Sequence, residues 1–155
     1  MKKIDFKVLI ISILIPNILG FIGEIIGNAS KGFDNIIKPS FTPPSIVFPI
    51  AWTILYILMG ISSYIIYKSE ENNIKKESLK IYLLQLILNS SWTFFFFKLN
   101  YFLFSTFLIL IILILVLIMI YKFYKINKLS AYLQIPYTLW LTFALILSYN
   151  VFLLN

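Results

Sequence analysis

The sequence predicts an all-α integral membrane protein, a bundle of five transmembrane helices with residues 1–155 forming a single transmembrane domain. Three observations predict it. The 155-residue chain is 61% hydrophobic and only 12% charged, with a mean hydropathy of +0.94, whereas soluble domains are about half apolar and about a quarter charged. The apolar residues fall into five runs, each near the ~20 residues a helix needs to cross the hydrocarbon layer, which leaves no room for an attached soluble domain. No run alternates with period 2 as a membrane barrel requires, and helices satisfy their own backbone groups where lipid cannot.

The first run, about 8–27, follows Lys2, Lys3 and Lys7. A cleaved leader ending near Ala29 and Ser30 is the alternative, but the run exceeds the ~7–15 apolar residues of a leader core and carries Glu24. Gly23 and Gly27 form a small-xxx-small pair suited to close helix packing or self-association. Residues 28–45 make a connection rich in Lys, Gly and Pro. There Pro39, Pro43 and Pro44 fix φ and remove donors, which predicts a stiff extended segment. The second run is about 46–67, followed by a charged connection at 68–77 and a third run at 79–97. Lys98-Leu99-Asn100 separates this from the fourth run, about 101–121. The fifth covers about 131–154, with Pro136 expected to kink it or to lie in its first turn.

Lysine placement sets the orientation, because cytoplasmic flanks carry the excess positive charge. Ten of the thirteen lysines fall at the N-terminus and in the second and fourth connections, while Lys31, Lys38 and Lys98 fall on the other side. The N-terminus is therefore expected in the cytoplasm and the C-terminus outside, in a multi-pass protein of the cell membrane. Lys without Arg, alongside abundant Ile and Asn, points to an AT-rich bacterial genome. The net charge of +7 is thus topological and no sign of nucleic-acid binding, which would need a basic face and Arg for guanine. The absence of Cys and His removes disulfides, standard metal sites, Ser-His and Cys-His nucleophile systems and the commonest haem ligand. No metal and no required cofactor are expected.

Lipid-facing surface needs only apolar residues, so the polar, Pro and Trp positions carry the information. Gln85, Asn89 and Trp92 share one face of the third span, either as packing glue between helices or as the lining of a pocket. Phe48, Trp52 and Tyr56 follow the Pro-rich connection at successive i+4 positions. Composition favours an aromatic belt at the membrane surface, and the alternative is the wall of a pocket under a stiff lid. Pro136, Trp140, Ala144 and Ser148 repeat the i+4 spacing in the fifth span, with Ala144 leaving a small-residue gap beside Trp140. Glu24, the one acid well inside an apolar run, is a functional candidate by default, tempered by its place near the exit of the first helix. Sterol-type patterns at Leu117, Tyr121 and Lys125, and at Lys128, Tyr132 and Leu133, are weak.

Together these segments resemble the TspO/MBR family, the tryptophan-rich sensory proteins and translocator proteins, over nearly the whole chain. The resemblance rests on Lys38-Pro39 with Pro43-Pro44, then Phe48, Trp52, Leu55, Tyr56 and Gly60; on Gln85, Leu86, Asn89, Trp92, Phe96 and Phe97; and on Pro136, Tyr137, Trp140, Phe143, Ala144, Leu147, Leu154 and Asn155. It implies a five-helix bundle, often a homodimer, with a pocket beneath the first connection that binds porphyrins and other hydrophobic ligands. It also implies links to tetrapyrrole sensing, proposed transport and, in some bacterial members, light-dependent porphyrin breakdown. Carried over by motif, Trp52 and Trp140 match the pocket tryptophans, Phe48, Tyr56, Asn89, Phe96 and Ala144 match positions in or near the pocket, and Pro43 and Pro44 match its lid. The family often has Trp-Tyr where Gly32-Phe33 stands here, so one pocket-edge aromatic is missing and Phe33 is counted with the pocket. Ser148 replaces an expected Asn.

Three functions are weighed: the resemblance implies a receptor or sensor for porphyrin or haem and an enzyme-like photo-oxidation in which Trp52 and Trp140 are the reacting residues, and Glu24 raises a carrier of another hydrophobic substrate that uses it in proton coupling. Lys31 and Lys38 are expected to meet porphyrin carboxylates as mobile point charges. Without His or Cys, metal-free porphyrin is expected to bind better than haem.

Overall fold

The computed structural model describes residues 4–155; Lys2 and Lys3, used above for orientation, lie outside that range. Among the described residues the chain is all-helical. Its helices are α1 (Phe6–Gly27), α2 (Ala29–Asn35), α3 (Val47–Tyr67), α4 (Asn73–Thr93), α5 (Phe102–Ile126), α6 (Lys128–Tyr132) and α7 (Ile135–Leu154), with a π-helical turn at Phe94–Lys98 after α4. Four segments are long and apolar enough to cross a membrane: α1, α3, α5, and α6 with α7. The fifth long helix, α4, has Lys75, Lys76, Glu77 and Lys80 in its first half and does not meet that standard.

Local chemistry explains where the boundaries differ from the sequence expectation. The third span, α4, begins earlier than residue 79 because the Asn72 side chain caps it, accepting from Lys75 N at 2.7 Å. The Phe94–Lys98 stretch widens into a π turn, in which Leu99 N donates to Phe94 O at 3.1 Å. The helix of the fifth span, α7, begins at Ile135, not residue 131, with Pro136 in its first turn, where a missing N–H costs nothing. The segment before it is the separate short helix α6, locked to α3 by Ser62 Oγ donating to Ser130 O at 2.8 Å and Ser130 Oγ donating to Ser62 O at 2.9 Å.

The first connection is not extended throughout. Asn28 ends α1 in the left-handed region at φ 52°, which Asn tolerates, and the chain turns directly into α2. Only the Pro-rich half after Asn35 is irregular. Asn155 ties that half to the end of α7: Ile37 N donates to Asn155 Oδ1 at 3.0 Å, and Asn155 Nδ2 donates to Ile37 O at 2.8 Å. Asn155→Ala removes both bonds, so we expect faster hydrogen exchange across residues 36–46 with little change in global melting. Unchanged exchange there would show that the prolines alone hold the segment.

In the bundle α1 packs on α3 and α4, and α5 on α4 and α7, while α3 and α7 meet only lightly. Glycines bring the backbones together. A Cβ on Gly60 would lie 2.7 Å from Ser12 O, one on Gly23 2.5 Å from Ser90 O, and one on Gly27 2.7 Å from Thr93 O. Pro16 supplies no N–H to the Ser12 carbonyl, and Gly60 packs against that same turn of α1. Gly23 and Gly27 therefore serve packing of α1 on α4. A core of Met59, Ile66, Ile112, Val116, Met119 and Phe123, each fully buried, fills the bundle. Ile10, Leu14, Phe107, Ile111 and Ile118 are exposed on the outside of the helices, as a lipid-facing surface requires.

Candidate functional site

Light contact between α3 and α7 leaves a cavity of about 580 Å³ bounded by α1, α2, α3, α4 and α7. This lies in the 300–1,000 Å³ range typical of small-molecule sites. One wall is a continuous aromatic chain. Phe33 from α2 meets Phe48 edge-on at 5.2 Å, Phe48 meets Trp140 at 5.9 Å, and Trp140 meets Trp52 at 6.3 Å. Trp52 in turn stacks on Tyr56 at 5.3 Å. The i+4 spacing of Phe48, Trp52 and Tyr56 puts all three rings on one face of α3, and that face turns inward to the cavity. They do not form the surface belt that composition favours. Gly20 leaves the space on α1 into which the Tyr56 ring fits.

Helices α1 and α4 add polar groups to the lining beside the aromatic Phe21 and Trp92. Asn89, only 6% exposed, lines the cavity and donates from Nδ2 to the Tyr56 hydroxyl at 3.3 Å. Ser90 and Thr93, also in the lining, donate to Leu19 O and Gly23 O, each at 2.7 Å. These bonds cross to α1 where Gly23 approaches and hold this side of the cavity in place. Glu24 and Asp34 contribute two carboxyl groups to the lining, and among the described residues no lysine belongs to it.

Of the residues expected from the sequence, Phe33, Phe48, Trp52, Tyr56, Asn89, Trp140 and Ala144 come together around this cavity. Lys38, Pro43, Pro44 and Phe96 do not line it. The Lys38 ammonium is not a mobile charge at the lid, because it donates to Phe33 O at 2.6 Å and Ile36 O at 3.1 Å and lies 4.7 Å from the Phe33 ring centroid. Phe96 is buried behind the wall with Ile36 and Val151, stacked on Trp92 at 4.5 Å. Pro43 and Pro44 lie in the strap outside it.

The polar stripe of α4 divides. Gln85 is fully buried and accepts from the Tyr137 hydroxyl at 2.8 Å, so it is packing glue. Asn89 and Trp92 reach the cavity, and the Trp92 indole N–H donates to Ser105 O at 3.0 Å. On α7 Trp140 and Ala144 face the cavity, whereas Ser148 is buried against Thr106 at 2.8 Å.

Sequence reasoning missed Asn17, Phe21, Ser30 and Asp34 as lining residues. Asp34 was the legible one, as the one acid of the first connection.

The family model for the TspO/MBR family matches residues 12–154. The chain belongs to the TspO/MBR family. It is 36% identical over 149 residues to the tryptophan-rich protein TspO of Archaeoglobus fulgidus, covering 95% of this chain and 96% of that protein. It is 32% identical to protein CrtK of Rhodobacter capsulatus over 79% of this chain and 78% of the relative. With the translocator protein of Homo sapiens it shares 30% identity over 89% of this chain and 84% of that one. As a TspO/MBR protein with several long apolar helices, it is a multi-pass membrane protein set in a lipid bilayer.

Proposed function

We propose that this protein is a membrane receptor or sensor whose cavity binds tetrapyrroles such as protoporphyrin IX and other flat hydrophobic ligands, with transport of the ligand as an extension. The observation that carries the reading is the aromatic wall from Phe33 to Tyr56, running through both Trp140 and Trp52 along one side of a cavity of about 580 Å³. Each ring contact with a flat ligand adds about 0.5–1.5 kcal/mol beyond area burial. Asn89 and the hydroxyls of the lining orient the ligand. Metal-free tetrapyrrole is favoured over haem, because Tyr56 is the lining residue of a type that ligates haem iron and its hydroxyl is engaged by Asn89.

In this reading α4 completes a five-helix transmembrane bundle, with its charged first turns at the cytoplasmic surface and the cavity mouth on the outer side. That orientation follows the lysine bias, and a reporter fused after Asn155 that proved cytoplasmic would overturn it. The homodimer that family resemblance suggests would use a surface other than Gly23 and Gly27, which are filled by α4.

A second reading, light-driven breakdown of the bound porphyrin, is favoured by the edge-on contact of Trp52 and Trp140 at 6.3 Å beside the ligand space. Titration of purified protein with protoporphyrin in darkness and then under light separates the two. Saturable tryptophan quenching without pigment loss supports the receptor. Bleaching that Trp140→Phe abolishes supports the enzyme. Neither response leaves a carrier of another hydrophobic substrate.

A further inference from the structure

The charge of the cavity is opposite to that of the protein. The chain carries thirteen lysines and six acids, yet among the described residues the lining holds Glu24 and Asp34 and not one lysine. Lys38, the lysine of the Pro-rich strap, is bound to two backbone carbonyls and held over Phe33.

The neutral polar groups lean the same way. A hydroxyl has one proton, and those of Thr53, Ser90 and Thr93 are donated to Pro49 O, Leu19 O and Gly23 O, so these lining hydroxyls have only lone pairs to offer a ligand. Asn89 is more than nine-tenths buried; its Nδ2 is paired with Tyr56, and among the described residues no donor reaches its Oδ1. Side-chain donors that remain free are neutral: the indole N–H groups of Trp52 and Trp140, the hydroxyls of Tyr56, Ser30 and Ser45, and the second Nδ2 hydrogens of Asn17 and Asn89. Aromatic faces attract cations through their quadrupoles and repel anions. Carboxylates at the mouth and indole faces at the wall act in the same direction on a ligand's charge.

We propose that Glu24 and Asp34 make this cavity selective for hydrophobic ligands that carry a protonated amine, and against ligands that carry carboxylates. The aromatic body rests on Phe48, Trp52 and Trp140, and the ammonium N–H groups reach the Glu24 and Asp34 carboxylates, with Asn89 Oδ1 as a further acceptor. This rests on the reading of the cavity as a ligand site and adds the ligand's charge to it. A porphyrin diacid is then a tolerated ligand, weakened by its own propionates.

The test holds the macrocycle fixed and varies its charge. Protoporphyrin IX, its dimethyl ester and its bis-amide bearing terminal dimethylamino groups are titrated against purified protein in a nonionic detergent at low salt. The expected order is amine tighter than ester tighter than diacid, with at least about tenfold between the ends. Glu24→Gln with Asp34→Asn should collapse that order, and added salt should compress it. Both residues are exposed, so the double variant is expected to fold, and the wild-type series stands without it. Tightest binding by the diacid, or an order that the double variant leaves intact, overturns the selectivity while sparing the cavity. Failure of all three macrocycles to bind overturns the cavity reading and the selectivity with it.

Discussion

Gly60→Ala is expected to destabilise the protein by about 3 kcal/mol, the upper part of the range for overpacking, and to reduce the monodisperse fraction recovered in detergent. A new Cβ would sit 2.7 Å from Ser12 O and against the backbone of Ile13. A flexible side chain could swing away, but helix backbone cannot, so α1 and α3 must separate. Separation reaches the site as well, because Gly20 on α1 lies under the Tyr56 ring of α3 and both line the cavity. Ligand affinity should therefore fall along with the melting temperature. Thr142→Ala, on the exposed face of α7, serves as the control. Equal melting of the Gly60 variant and the control would mean the helices are less tightly apposed than described.

The second large effect concerns the aromatic wall. Trp52→Ala and Trp140→Ala should each weaken protoporphyrin binding about thirtyfold, the roughly 2 kcal/mol expected when a buried aromatic anchor is truncated. The two rings are the centre of the wall: Trp140 touches Phe48, Trp52 and Phe143, and Trp52 touches Tyr56 and Tyr137. Trp140→Phe keeps a flat ring and should retain most of the affinity. Trp92→Phe should matter less for binding, since the Trp92 ring is already stacked on Phe96 and its N–H is bound to Ser105 O. Affinities measured by direct titration, with melting of each variant alongside, check this. Alanine variants that bind as the parent does would place the ligand elsewhere.

Much of this architecture was legible because membrane insertion leaves a coarse imprint. The apolar runs gave the long helices, and the i+4 series from Phe48 and from Pro136 marked the faces that meet at the cavity. What could not be read was which way a face points. Phe48, Trp52 and Tyr56 have the composition of a surface belt, and tertiary packing turns them inward, through the fit of Tyr56 over Gly20 and the contacts of Phe48 and Trp52 with Trp140. Helix α2 was hidden inside a polar, Gly-containing connection, because its formation depends on the left-handed turn at Asn28 and on Gly32 packing against Phe97. Lys38 had the charge to meet an anion, but side-chain reach decides its partners, and it folds back onto Phe33 O and Ile36 O. Asp34 stood out in the sequence as the one acid of the first connection, but its place in the lining depends on the position of α2.

The chain contains no cysteine, which allows a direct measurement of where a ligand sits. A single Ala144→Cys substitution puts a thiol in the cavity, and Tyr101→Cys puts one on the exposed surface. Labelling of each by a membrane-permeant maleimide is followed with and without saturating protoporphyrin. Strong slowing is expected at position 144 and none at position 101. Equal labelling rates at position 144 with and without the porphyrin would contradict this placement of the ligand.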